Sequence, residues 1–124
     1  MRLASFEILV VEIPLRVAVE HALAEHRVAR NVVVAAHDGE GRTGWGESCP
    51  RTYVTGETVI GARELLRSRI LPDLLGAEAE DFEAVTRRMQ TELEGLARHQ
   101  QAAFCAAELA VLDLAGQVFG VSAG

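Results

Sequence analysis

Residues able to do chemistry gather in two polar stretches of this chain. The first is 44–58, GWGESCPRTYVTGET. It carries a carboxylate (Glu47), a hydroxyl and a thiol side by side (Ser48, Cys49), a guanidinium (Arg51) and an aromatic among small polar residues (Tyr53, Thr55). Glu47 stands at a strand end beside a loop, where a carboxylate either acts as a general base or positions neighbouring N–H groups. Without a partner carboxylate, lysine or metal, positioning is the reading adopted. No histidine is placed by sequence to activate Ser48 or Cys49, so neither reads as a nucleophile. The second stretch is 17–29, where His21 and His26 each follow a glutamate. Five residues apart, they do not share a helix face as an i, i+4 metal pair would, and a solvated polar loop fits them better. His37 and His99 lie elsewhere. The chain has no Gly-Lys-Ser/Thr phosphate loop, and its glycines at 39, 41, 44 and 46 do not open a helix as a dinucleotide fingerprint does. All 12 basic residues are arginines, so lysine acid/base chemistry cannot come from these residues.

The elements that hold these stretches follow from periodicity. Residues 6–15 and 30–37 are short, β-branched runs and read as strands. Asp38-Gly39-Glu40-Gly41 is a hairpin turn that supplies positive-φ positions, and 42–47 returns as a third strand. Gly44 and Gly46 flank Trp45, which predicts a bulge or a close backbone approach on one face. Trp45 is assigned to the core on the other. Residues 17–29 fit a short helix or a hairpin connection, and the loop is preferred.

After Thr55 the period changes. Val59, Ala62, Leu66 and Ile70 form a helical stripe that Pro72 should end. Phe82, Val85, Met89 and Leu93 form a second, with Asp81 as N-cap and a stop near Gly95. A third helix, about 99–118, is apolar almost all round, interrupted by Glu108, Asp113 and Gln117. Such a helix either lies in the middle of its domain or expects a partner, and the partner is preferred. The fold class is therefore α+β: a three-stranded antiparallel meander followed by a bundle of about three helices.

With 124 residues the chain suits one domain, 1–124, able to bury about two-thirds of its unfolded surface. A net charge of −6 argues against nucleic acid or an anionic membrane as partner. No run of about 18 apolar residues spans a membrane, and two isolated cysteines suit reduced thiols; the expected location is cytoplasmic.

The stretch 44–58 and the run AAELAVLDLAGQVFGV resemble the N-terminal domain of the muconate lactonizing enzyme and mandelate racemase branch of the enolase superfamily, nearest to its dipeptide epimerase and muconate cycloisomerase types. The shared pattern is Gly-x-Gly-Glu, a Pro, then Tyr-x-Thr-Gly-Glu-Thr, with Ile13-Pro14-Leu15 and Asn31-Val32 at matching strand ends. The resemblance implies a capping domain over a (β/α) barrel. That barrel would carry the Mg²⁺ ligands and acid/base lysines for proton abstraction next to a carboxylate. Mg²⁺ would then belong to the complete enzyme, with none bound by this chain. The barrel, absent from 1–124, would be a missing domain or a partner chain docking on the last helix. The loops 17–29 and 48–58 would close over a small carboxylate-containing substrate. On that basis His21, Arg51, Tyr53 and Thr55 are the expected substrate-binding residues, with no catalytic or metal-binding residue and a homo-oligomeric assembly. The first loop lacks the aromatic many relatives place after Pro-Leu and has His21 instead, which leaves the subgroup open. The rival reading is a stand-alone interaction or dimerisation domain, or a fragment without enzymatic role.

Overall fold

The computed structural model describes residues 1–14, 28–50 and 58–121, with side chains left aside at 13, 14, 28 and 29. Strands β1 (Ser5–Pro14), β2 (Val28–His37) and β3 (Thr43–Ser48) form one antiparallel sheet in the order β1-β2-β3. The turn between β2 and β3 works as its sequence predicts, with Gly39 at φ 78° and Gly41 at φ 92°. Asp38 organises it: its Oδ1 accepts from the Glu40 and Arg42 N–H groups (2.8 and 3.1 Å), and its Oδ2 from the Arg42 guanidinium (3.1 Å). Burial would raise the Asp38 pKa, but these two N–H bonds and the Arg42 charge outweigh it and hold the carboxyl below its ordinary value.

Alternation gives the sheet two different faces. Val32, Val34 and Ala36 are fully buried and point toward the helices. Their partners on β1 are Val10, Ile8 and Phe6. On the opposite face Trp45 is 52% exposed, with Leu9 and Val11 also open. Trp45 is therefore not core. Its glycine neighbours share the helix-facing side of β3, so the alternation turns the indole outward.

The helices run α1 (Val59–Leu65), a π turn (Leu66–Ile70), α2 (Leu71–Leu74), α3 (Phe82–Glu94), a 3₁₀ turn (Arg98–Gln100) and α4 (Gln101–Phe119). Thr58 caps α1 by accepting from the Gly61 N–H at 2.9 Å. Pro72 does not end the first rod as expected. Proline clashes with the carbonyl four residues back. Here the ladder widens instead, with the Leu71 N–H reaching the Leu66 carbonyl five residues back, and the helix continues to Leu74. Asp81 caps α3 as expected, accepting from the Ala84 N–H at 2.7 Å, and Gly95 closes it. The linker after α2 is tied to the N-terminus: the Leu3 N–H donates to the Ala77 carbonyl (2.9 Å) and the Gly76 N–H to the Leu3 carbonyl (2.7 Å).

Helix α4 occupies the middle of the domain. Ala103, Phe104, Ala106, Ala107, Ala110, Val111, Leu114 and Ala115 are buried against β2, β3, α3 and the π turn. Of the two placements open to an all-apolar helix, the central one accounts for the face that carries these eight residues. A stripe through Cys105 and Leu109 stays exposed and leaves room for a partner. By length and apolarity α4 with its preceding turn could match a membrane span, but 44% of that window is buried inside the domain, as in a core helix. Its polar interruptions have a use. The Asp113 carboxylate accepts from the Trp45 N–H at 2.9 Å, and the Gln117 amide donates to the Thr43 carbonyl at 2.7 Å. Both side chains satisfy the outer edge of β3, which has no strand neighbour among the described residues.

Candidate functional site

The topology brings the stems of both polar stretches to one end of the sheet. Pro14 and Val28 are paired at that end, so 15–27 leaves and re-enters there. Ser48, at the end of β3, pairs with Val32 near the start of β2, so the chain passes toward 51–57 from the same end. The reason is the meander: three antiparallel strands put the β1–β2 connection and the exit from β3 on the side opposite the Asp38 turn.

His21, Arg51, Tyr53 and Thr55 all lie outside the described residues, as do the His21–His26 pair and residues 17–27 of the loop preferred over 17–29; its last two residues belong to β2 instead. What the structure shows is the rim from which these segments spring. The Asn31 side-chain amide donates to the Glu47 carboxylate. The two residues project from neighbouring strands on the face turned away from the described helices, one diagonal step apart in the register. Cys49 Sγ lies 3.9 Å from the Arg30 carbonyl, and the Arg30 guanidinium pairs with Glu12 at 3.0 Å. Glu47, at the strand end, is itself held in place by its hydrogen bond from Asn31. Its partner is a side-chain amide rather than the backbone N–H groups such carboxylates often meet.

Asn31 is the rim residue that sequence reasoning passed over. It is only 9% exposed, and its Oδ1 is buried without a hydrogen-bond partner among the described residues. A signal was present. One amide heads the apolar run Val32–Val34, and pairing β2 with β3 about the Asp-Gly turn already brings residue 31 diagonally beside Glu47.

At the other end of the same face, His37 links two strands. Its Nε2–H donates to Glu7 Oε1 (2.6 Å), leaving Nδ1 to accept from the Thr43 hydroxyl (2.8 Å). This is a cross-strand ladder, far along the sheet from the loop stems. On α4, burial and the nearby Glu108 raise the Cys105 thiol pKa, and burial raises that of Glu108 itself, which keeps the thiol in its less nucleophilic form. Among the described residues no three His, Cys, Asp or Glu side chains come together to hold a metal ion. They do not fit a Mg²⁺ site, and no chemical step through a metal can be derived from them.

The meander, with both loop stems at one end of the sheet and a long helix packed across one face, makes an α+β domain. The chain belongs to the family described as mandelate racemase / muconate lactonizing enzyme, N-terminal domain, whose model matches residues 5–123. It is 27% identical over 121 residues to the L-Ala-D/L-Glu epimerase of Bacillus subtilis, covering 98% of this chain and 32% of that protein. It is 30% identical over 112 residues to the hydrophobic dipeptide epimerase of Citrifermentans bemidjiense, covering 90% and 29%. Among solved structures it resembles the dipeptide epimerase from Methylococcus capsulatus complexed with Mg and the dipeptide L-Arg-D-Lys. That match has a TM-score of 0.74 and 26% identity over 95% of this chain and 32% of the other. The chain thus spans about a third of the length of these relatives.

Proposed function

We propose that residues 1–124 form the substrate-capping domain of a racemase, epimerase or cycloisomerase that removes a proton next to a carboxylate with Mg²⁺ assistance. The domain is not catalytic by itself. The observation that carries this reading is the convergence of both loop stems at one end of the sheet, in a chain of this family. The barrel with the Mg²⁺ ligands and acid/base lysines lies outside these residues, in a further domain or a partner chain, and Mg²⁺ belongs to that assembly. It docks on the exposed stripe of α4, where Cys105 and Leu109 (45% exposed) lie one helical turn apart.

The substrate is a small carboxylate-containing molecule; the names of the relatives favour a dipeptide. His21, Tyr53 and Thr55 face it as pocket walls. Arg51 meets its carboxylate or the pocket rim. The Asn31–Glu47 pair fixes the strand end that leads into the second loop. The assembled enzyme is cytoplasmic and homo-oligomeric.

The test is to replace the equivalent domain of a dipeptide epimerase with residues 1–124 and follow Mg²⁺-dependent exchange of the substrate α-proton into D₂O. Exchange by the chimera that is lost when Tyr53 and Thr55 are both changed to Ala supports the reading. A well-folded chimera that binds Mg²⁺ but exchanges no candidate dipeptide, hydroxy acid or muconate-like acid refutes it.

A further inference from the structure

The two edges of the sheet are treated differently. Along β3, Asp113 and Gln117 reach over from α4 and satisfy the Trp45 N–H and the Thr43 carbonyl. Along β1, no backbone or side-chain hydrogen bond to the outer edge of 5–12 is made among the described residues. Every second residue of a strand directs its N–H and C=O outward, and a long edge without a bulge can template further pairing where its charges meet opposite ones. On β1, Glu7 and Glu12 flank the apolar middle. Strand β1 has ten residues in unbroken register with β2. Leu9, Val10 and Val11 are 44%, 42% and 38% exposed in succession, so apolar surface is open on both faces of the strand at its middle.

Beside this edge runs a groove of about 420 Å³ between β1 and the first helical rod. Phe6, Ile8 and Leu71 line it, and two guanidiniums, Arg63 and Arg67, stand over it. Arg67 pairs only loosely with Glu64 (3.8 Å), and Arg63 has no ion-pair partner among the described residues. The groove therefore calls for an extended, apolar segment carrying a carboxylate.

We propose that this occupant is β1 of a second copy of the chain, added antiparallel to make a continuous six-stranded sheet about a two-fold axis. With Leu9 opposite its own copy, the register puts Ile8 opposite Val10 and Phe6 opposite Glu12. All four of these even-numbered positions lie on the helix-facing side, so Glu12 of each copy arrives beside Phe6, where the other copy's Arg63 and Arg67 stand. Glu12 is more than half exposed and, among the described residues, is held only by Arg30 at 3.0 Å, so it can turn to a second guanidinium. The contact is isologous: one strand supplies both the apolar seam and the acidic ends, and each end meets a basic rim. It specifies the surface behind the homo-oligomer proposed above; the seam is centred on Leu9, away from the exposed stripe of α4, and only its Glu12 end approaches the first loop stem at Pro14.

The test is sedimentation equilibrium of the 124-residue chain from low micromolar to several hundred micromolar, with hydrogen exchange of the β1 amides. A reversible dimer is expected, with outward-pointing β1 amides protected in proportion to dimer. Glu12→Arg should weaken it about tenfold or more, since two symmetric attractions become repulsions. Adding Arg63→Glu and Arg67→Glu to Glu12→Arg should restore it. Circular dichroism checks that each variant is folded. A monomer at every concentration overturns the proposal, and so does a dimer indifferent to Glu12→Arg or not rescued by the triple change. Either failure would leave the exchange assay of the chimera unaffected.

Discussion

Gly46→Ala should unfold this domain more readily than any change at its exposed glycines. A Cβ built on Gly46 would lie 2.0 Å from the Ala106 carbonyl oxygen and 2.4 Å from the Ala110 nitrogen, both backbone atoms of α4. Neither can rotate away, so the helix would have to retreat by about 1.4 Å to reach ordinary contact distance. A gap of even 0.5–1 Å forfeits roughly a quarter to a half of the dispersion attraction across a contact. The retreat would loosen Ala106, Ala107, Ala110 and Leu114 together, all 0% exposed. Overpacking of this kind costs about 1–3 kcal/mol, and a backbone clash belongs at the upper end. Replacing a strand glycine returns roughly 0.5–1 kcal/mol through the unfolded chain. The expected net loss is about 2–2.5 kcal/mol. For a chain of 124 residues the entropy of unfolding is about 0.26 kcal/mol/K, so the midpoint should fall by roughly 8–10 °C. Thermal and urea unfolding followed by circular dichroism at 222 nm would measure it. Gly41→Ala is the control: φ there is 92° but nothing lies within 4 Å of the added carbon, so only the left-handed strain of about 1–2 kcal/mol applies. A Gly46→Ala protein within about 0.5 kcal/mol of the parent would refute the close approach of α4 to β3.

Asp113→Ala should cost about 1–3 kcal/mol, because the Trp45 N–H loses a charged acceptor at the β3 edge; urea unfolding reads it, and Asp113→Asn should recover part of the loss. Asp38 predicts a pH dependence. Its folded pKa is depressed, so its contribution is complete above the unfolded value of about 3.9 and is lost as pH falls through the lower folded value. Stability measured from pH 6 down to pH 2 should therefore decline more steeply in the parent than in Asp38→Asn, which is less stable at pH 6. In the chimeric enzyme, Tyr53→Ala should raise KM about tenfold with a smaller change in kcat, the pattern of a pocket wall, while leaving the unfolding midpoint within a few degrees. Steady-state kinetics at saturating Mg²⁺ would check it.

The sequence alone determined the local elements. The β-branched runs, the Asp-Gly turn, the Asp81 cap and the 3.6-residue stripes act over a few residues, and each appears in the structure close to where its pattern stops. The two glycines of Gly-Trp-Gly announced a close backbone approach. The family resemblance was also legible, since it rests on residue types in order. Tertiary structure decided what depends on neighbours from elsewhere in the chain. Trp45 faces outward because the side of β3 that meets α4 has room only for glycine. Pro72 is absorbed because the rod can widen by one residue while Leu71 and Leu74 stay packed. The apolar last helix buries one face in its own domain, and Asp113 and Gln117, which looked like interruptions, serve a strand about 70 positions earlier. For the candidate site, sequence supplied Glu47 as a positioning group, while the Asn31 amide that holds it became visible only with the strand register. Periodicity records which way a side chain points along its own element; which surface it meets there is settled only when the elements pack.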